Sequence, residues 1–336
     1  MQNAPIGPIR PMLSRRGFLA TASGLGAAGL AAPALSLAQI SGGAPLRFIV
    51  PFGPGSGTDS TARVFAKAVS SISGLSVTVE NKPGGNGLIA VQAALSAVPD
   101  GRTIFLGSNT TLSTNAALYR ALPYNPLVDF TPIMALTKAS CLLIVPPQSP
   151  YRTVGDLIAD ARRRPGTLNN GSGSPSYELY SVWFNEINKI ETVNVAYKGA
   201  NEVITAVVAG QVDYAITDAS AATEIVRGGR VRALCVAAEH RLALLPDVPT
   251  CGEGGVPDFI AFNWVAAAAP AKIPPNALSQ LRDWFRKASE DPDVKAYYNA
   301  RSSELLASDA DTMRHFQVEE IARWKRLAKI SGFQLL

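Results

Sequence analysis

Two stretches of small residues stand out as places where main chain could do chemistry. Pro51-Phe52-Gly53-Pro54-Gly55-Ser56-Gly57-Thr58-Asp59 sets three glycines between an apolar run and a helix-patterned run. Freed of side chains, the N–H groups of such a turn can approach an anion, and the start of the next helix adds a favourable dipole. Leu168-Asn169-Asn170-Gly171-Ser172-Gly173-Ser174-Pro175 has the same character, with Ser174 placed as N-cap and Pro175 at the first helical position. Singly, the first reads equally well as a tight turn and the second as a capped helix. In succession they suggest two helix N-termini holding one carboxylate from opposite sides.

Other chemistries fit less well. No Gly-Lys-Ser/Thr closes the first loop, and Ser60 stands where a dinucleotide fingerprint wants its third glycine. The two histidines, His240 and His315, lie beside no nucleophile signature and no Gly-x-Ser-x-Gly elbow. His-x-x-x-His and Cys-x-x-Cys pairs do not occur. No catalytic residue, metal or cofactor is therefore expected, and an exported hydrolase stands only as an alternative function. Cys141, Cys235 and Cys251 are an odd, widely spaced set that fits neither a disulfide framework nor a zinc knuckle. Cys141 and Cys235 fall in apolar strand-like runs and read as small core residues, with a single bridge left open.

Both loops need a scaffold of strands leading into helices, and the patterning supplies one. Leu46 to Val50 reads as a buried strand, followed by Ala62, Phe65, Ala66 and Val69 at helical spacing. Val77 to Val79, a helix bearing Leu88, Val91 and Leu95, and Thr103 to Leu106 continue the alternation. After Leu142 to Val145 and the Pro146-Pro147 break, a second series begins. It has helical stripes at Val154, Leu157, Ile158, Ala161 and at Val203, Ile204, Val207, Val208, and strands at Val193 to Tyr197, Tyr214 to Thr217 and Ala233 to Ala237. Asn263-Trp264 opens one more strand-like run, and the rest of the chain reads as helices. Alternation of this kind predicts an α/β fold with parallel crossovers, and two series predict two lobes. In such sheets ligands bind beyond the carboxyl ends of strands, where both loops fall.

The amino terminus follows a different logic. Residues 1–38 hold Arg10, Arg15 and Arg16, no acid, and an apolar run rich in Gly and Ala from Gly17 to Leu37. Ser14-Arg15-Arg16-Gly17-Phe18-Leu19 matches a twin-arginine export signal, with processing expected after Ala38 and no cysteine nearby for a lipid anchor. Three of the five net positive charges thus belong to the leader. The remainder has no basic footprint for nucleic acid or a membrane surface.

Seven ordered motifs resemble one family: PFGPGSGTDSTAR at 51–63, ENKPGGNGLIA at 80–90, PDGRTIFLGS at 99–108, DFTPI at 129–133, YKGANEVITAVVAGQVDY at 197–214, RALCVAAEHRLALLPDVPT at 232–250 and the strand from Trp264 to Pro270. Over essentially the whole mature chain the sequence is similar to the tripartite tricarboxylate transporter receptors, the Bug-type periplasmic solute-binding proteins. The resemblance implies a two-lobed type II periplasmic-binding-protein fold with hinge strands between the lobes and a small carboxylate (di- or tricarboxylate, amino acid or aromatic acid) in the cleft. Lobe one would comprise 44–145 plus 263–336 and lobe two 146–262. The partner would be integral membrane transporter subunits or a sensor kinase, and the receptor a periplasmic monomer.

The expected ligand-binding set is Phe52, Gly55, Ser56, Gly57, Thr58, Asp59, Ser108, Asn109, Ser172, Gly173, Ser174, Tyr197, Lys198, Thr217, Asp218 and Trp264. For several of these a structural role competes: Asp59 suits a helix start or orients its loop, Lys198 suits solvent, and Trp264 suits a core. Departures from the family pattern are Gly55-Ser56 in place of a double glycine, Ala196 in place of a proline, and Tyr177-Glu178 where many relatives carry a histidine.

Overall fold

The computed structural model describes residue 40, residues 42–330 and residues 333–336. The arginine pair and apolar run expected to direct export lie outside them.

The first series runs β1 (Leu46–Val50), α1 (Gly57–Ser73), β2 (Val77–Asn81), a 3-10 turn (Gly85–Gly87), α2 (Leu88–Leu95), β3 (Thr103–Ser108), and a π-helical turn (Thr110–Thr114) continuing into α3 (Asn115–Leu118). β4 (Phe130–Val145) leads into the second series: α4 (Val154–Arg163), β5 (Asn169–Ser172), α5 (Pro175–Asn188), β6 (Val193–Ala196), α6 (Ala200–Val208), β7 (Tyr214–Asp218), α7 (Ala219–Arg227) and β8 (Arg232–Val236). The chain ends with β9 (Phe262–Pro270), α8 (Pro275–Glu290), α9 (Pro292–Asn299), β10 (Glu304–Ser308) and α10 (Ala310–Ile330). Local chemistry sets many of these limits. Ser56 caps α1 by accepting from Asp59 N–H, and Gly74 ends that helix at φ 70°. Thr153 and Asp156 form a capping box at α4.

The strands form a 10-stranded sheet in the order β2-β1-β3-β9-β4-β7-β5-β6, with β8 and β10 also pairing β4. β4 is the common member. Its first part pairs β9 from Phe130↔Pro270 to Ser140↔Phe262, whereas Cys141 to Val145 pair β7 and β8. The sheet thus has two arms, one carrying β1 to β3 and the other β5 to β8, joined by β4 and by the chain entering β9. This is a two-lobed α/β fold. Only Leu142 to Val145 of β4 was visible as a strand in the sequence, because Pro132 and Lys138 interrupt the earlier part.

Each arm has its own apolar packing. Phe285 stacks on Phe48 and Phe65 with ring centres 5.6 and 5.8 Å apart in the first, and Tyr180, Phe184 and Phe259 cluster in the second. α10 serves both. Met313 packs with Phe105 and Phe130, while Trp324, Leu327 and Ala328 join the cluster around Tyr180.

Two expectations are corrected. The segment after Trp264 is not all helical: β10 pairs antiparallel with β4 (Glu304↔Lys138, Leu305↔Thr137). Its Glu-Leu-Leu-Ala-Ser sequence has no β-branched residue, so tertiary pairing decides the conformation. Cys235 is not a lone core thiol but bonds Cys251, with Cα atoms 5.0 Å apart. Residues 249–251 run beside β8, with Val236 N–H donating to Pro249 and Cys251 N–H to Val236. That pairing carries the two sulfurs together across a spacing that gave no hint of it. Cys141 is a buried free thiol.

Candidate functional site

Four strands of the two arms, β1, β5, β6 and β7, run into helices whose first turns converge on a chamber of about 20 Å³. α1 contributes Ser56, Gly57 and Thr58, α5 contributes Ser174 and Tyr177, α6 contributes Gly199 and Ala200, and α7 contributes its cap Asp218. Phe52, Ser108, Thr110, Gly173 and Asn263 complete the wall. The first N–H groups of any helix lack an intrahelical acceptor, so this convergence is a concentration of donors.

The first loop is held by Asp59, which is 2% exposed. One carboxylate oxygen accepts from Gly55 N–H at 2.8 Å and from Arg63 Nε at 3.0 Å, and the other accepts from Asn81 Nδ2 at 2.8 Å. Burial pushes this carboxyl up, but the Arg63, Gly55 and Asn81 donors overcome it and hold it below its ordinary value. Asp59 therefore spends its bonding capacity on the loop, not on the chamber.

On the opposite wall, Asp218 caps α7 by accepting from Ala221 N–H at 3.0 Å, and it also accepts from Ser220 Oγ and from Tyr177 OH at 2.9 Å. Burial, reinforced by the Asp218 charge, pushes the Tyr177 phenol well up, so it remains a donor. Ser174 occupies the N-cap position of α5, but its side chain makes no capping bond. Instead its Oγ accepts from Thr110 Oγ1 at 3.4 Å, which corrects the expectation of a hydroxyl cap. The neighbouring Ser176 Oγ lies 2.9 Å from Thr110 Oγ1 and 3.0 Å from Thr114 Oγ1. These hydroxyl contacts join the two arms directly.

Among the described residues the buried Ser108 Oγ, Asn109 Nδ2 and Thr217 Oγ1 have no hydrogen-bond partner. Unsatisfied buried polar atoms are costly, and of these three Ser108 lines the chamber itself, where its hydroxyl can meet a polar ligand. Ser172, at the end of β5, is also buried.

Tyr197 and Lys198 stand further out, on a cavity of about 400 Å³ shared with Phe52, Gly85, Gly173 and Ser174. Lys198 is exposed, and its N–H donates to Glu202. On the other flank lies a cavity of about 240 Å³, walled in part by Gly55, Gly57, Asn201, Ser220, Asn263 and Arg301. Trp264 lines none of these spaces. It is 0% exposed and packs on Phe316 at 5.1 Å, while its neighbour Asn263 faces the chamber. Alternation along β9 explains the swap, and Trp264 is thereby corrected from a cleft platform to core.

Two glycines are forced by geometry. A Cβ on Gly173 would sit 2.8 Å from the Gly199 carbonyl carbon. Gly55 has φ 80°, and a Cβ there would lie 2.2 Å from the Asn201 amide nitrogen. Thr110, Ser176, Asn201, Ser220, Asn263 and Arg301 were missed in the sequence. The run Asn109-Thr110-Thr111-Leu112-Ser113-Thr114, dense in hydroxyls directly after a buried strand, was the one signal that could have found some of them.

Two sheet arms sharing a continuous strand, with helix N-termini facing one another across the gap, define a two-lobed solute-binding receptor of the periplasmic type II class. The profile of the tripartite tricarboxylate transporter family receptor matches residues 61–333, and the chain belongs to that family of periplasmic solute-binding receptors. Protein BugT of Bordetella pertussis is 30% identical over 323 residues, covering 95% of this chain and 96% of that one. Among solved structures, an R. palustris protein with adipate superposes with a TM-score of 0.83 at 28% identity, covering 87% of this chain and 98% of its own. MatC from Rhodopseudomonas palustris with bound malate gives 0.80 at 28% identity, covering 84% and 98%. The family is one of receptors, not of enzymes.

Proposed function

We propose that this receptor captures a small carboxylate in the chamber between the first turns of α1 and α5 and closes its two lobes over it. The observation that carries the reading is the meeting of these helix N-termini at a chamber lined by the buried Ser108, whose hydroxyl has no partner among the described residues. Backbone and hydroxyl bonds to a charged group contribute about 1.5–3 kcal/mol each, so a few support micromolar binding before ordering costs. The adipate- and malate-bound relatives support a carboxylate as the ligand class.

In this reading residues 44–145 with 263–336 move against 146–262, bending where the chain crosses between arms at Ser140–Cys141 and Ala261–Phe262. The closed form would present a joint surface to membrane transporter subunits. A sensor kinase is the competing partner. Export by the twin-arginine route follows from Arg15 and Arg16, and the Cys235–Cys251 bridge suits an oxidising compartment.

A thermal-shift screen of the mature protein against mono-, di- and tricarboxylates, aromatic acids and amino acids tests the binding claim. A carboxylate that binds the folded state raises the melting temperature. If only uncharged solutes did so, the carboxylate reading would be wrong. Replacing Arg15 and Arg16 with lysine should strand precursor in the cytoplasm, and normal export of that variant would reject the routing.

A further inference from the structure

The cavity of about 240 Å³ beside the central chamber has a composition of its own. Among the described residues Arg301 is the single cation on its wall, and no Asp or Glu lines it. The guanidinium lies over the Tyr297 ring with 3.9 Å to the centroid, and its Nη1 donates to the Tyr297 carbonyl at 3.4 Å. Among the described residues Arg301 has no ion-pair partner. It thus rests over an aromatic ring without a carboxylate partner, with donors left over. The next residue, Ser302, adopts a left-handed φ of 51°, which turns the chain between α9 and β10 beside the cavity.

A second feature points the same way. Tyr298, only 3% exposed, lines this cavity, and its hydroxyl has Thr61 as a neighbour but, among the described residues, no bond of hydrogen-bonding geometry. Thr137, re-aimed by the irregular register between Ala135 and Thr137 in β4, also faces the space. An acid-free cavity with an oriented guanidinium and a buried idle hydroxyl is built for an anion. It meets the central chamber at Gly57 and Asn263, which line both.

We infer that the solute carries two anionic groups, the first between α1 and α5 and the second in the side cavity on Arg301, so that Arg301 selects dicarboxylates over monocarboxylates. This rests on the carboxylate reading of the central chamber. Lys198 is the rival cation, on the opposite flank, but it is exposed, and among the described residues no aromatic ring stacks on it.

Calorimetry on the mature protein separates the claims, using succinate, glutarate and adipate against butyrate, valerate and hexanoate. At least one dicarboxylate should bind about tenfold or more tighter than the monocarboxylate of equal length. Arg301→Gln should erase that preference while leaving monocarboxylate affinity intact, Arg301→Lys should restore part of it, and Lys198→Gln should leave it unchanged. Melting temperatures of all three variants establish that each is folded. Equal binding of the two series by the wild type, a preference that survives Arg301→Gln, or one lost with Lys198→Gln would each overturn the inference and leave the central carboxylate site standing. Failure of every carboxylate to bind would remove both.

Discussion

Thr110 and Ser176 meet hydroxyl to hydroxyl at 2.9 Å, and Thr114 reaches the same serine oxygen at 3.0 Å. One side of this contact follows β3 and the other begins α5, so it ties together elements of different sheet arms. Ser176→Ala should leave both arms folded and weaken ligand binding several-fold, since each such bond contributes about 0.5–1.5 kcal/mol. Small-angle scattering of the ligand-free variant should show a larger radius of gyration than wild type. Identical scattering and affinity would mean that the contact does not hold the lobes together.

Asp59→Asn should damage the first loop. The buried carboxylate accepts from three donors, Gly55 N–H, Arg63 and Asn81, and an amide offers only one acceptor atom. A donor would then face a donor, at a cost of about 1–3 kcal/mol, and calorimetry should show at least tenfold weaker binding. Wild-type affinity in a folded Asp59→Asn protein would separate the shape of this loop from recognition.

Cys251→Ser should destabilise the second arm without touching the chamber. A bridge spanning 16 positions contributes about 3 kcal/mol in the chain-entropy account. Urea unfolding should give a lower midpoint for the variant and no difference between oxidised wild type and the variant in ligand affinity.

Glu253 lies beside that bridge and pairs with Arg241, whose guanidinium donates to both carboxylate oxygens, while Thr250 N–H adds a further bond. The Arg241 bonds and then the Thr250 N–H hold its carboxyl at about 2, against an ordinary 4.5. A depressed acid stabilises the fold above its unfolded value and loses that contribution as pH falls through its folded value. Wild type should therefore melt above Glu253→Gln near neutrality, and the gap should close as pH drops from 4.5 toward 2. A gap independent of pH would assign the difference to packing.

The readable and unreadable parts of this receptor divide along physical lines. β1, α1, β3, α6 and β7 announce themselves because their apolar positions recur at the period of the element that buries them. Half-exposed β10 carries no such period, and its conformation comes from pairing with β4. The two glycine loops were legible as strand-to-helix turns because their backbone needs glycine, Gly55 for its positive φ and Gly173 for its closeness to the Gly199 main chain. Arg301, Asn201 and Asn263 were not, since an arginine, two asparagines and their flanking residues acquire meaning only when separate loops meet. Trp264 failed for a narrower reason: a one-residue shift along a strand exchanges the core face for the cleft face.

β9 sits between β3 and β4, with Phe105 opposite Ala268, yet it is translated after the entire second arm. Until it emerges from the ribosome, β3 carries six residues destined for full burial beside an unfilled edge. Such non-local pairing slows folding and leaves the nascent chain open to edge-to-edge association. A chain cut short before Phe262 would consequently be an aggregation hazard rather than a smaller receptor, and productive folding must wait for the last quarter of the polypeptide.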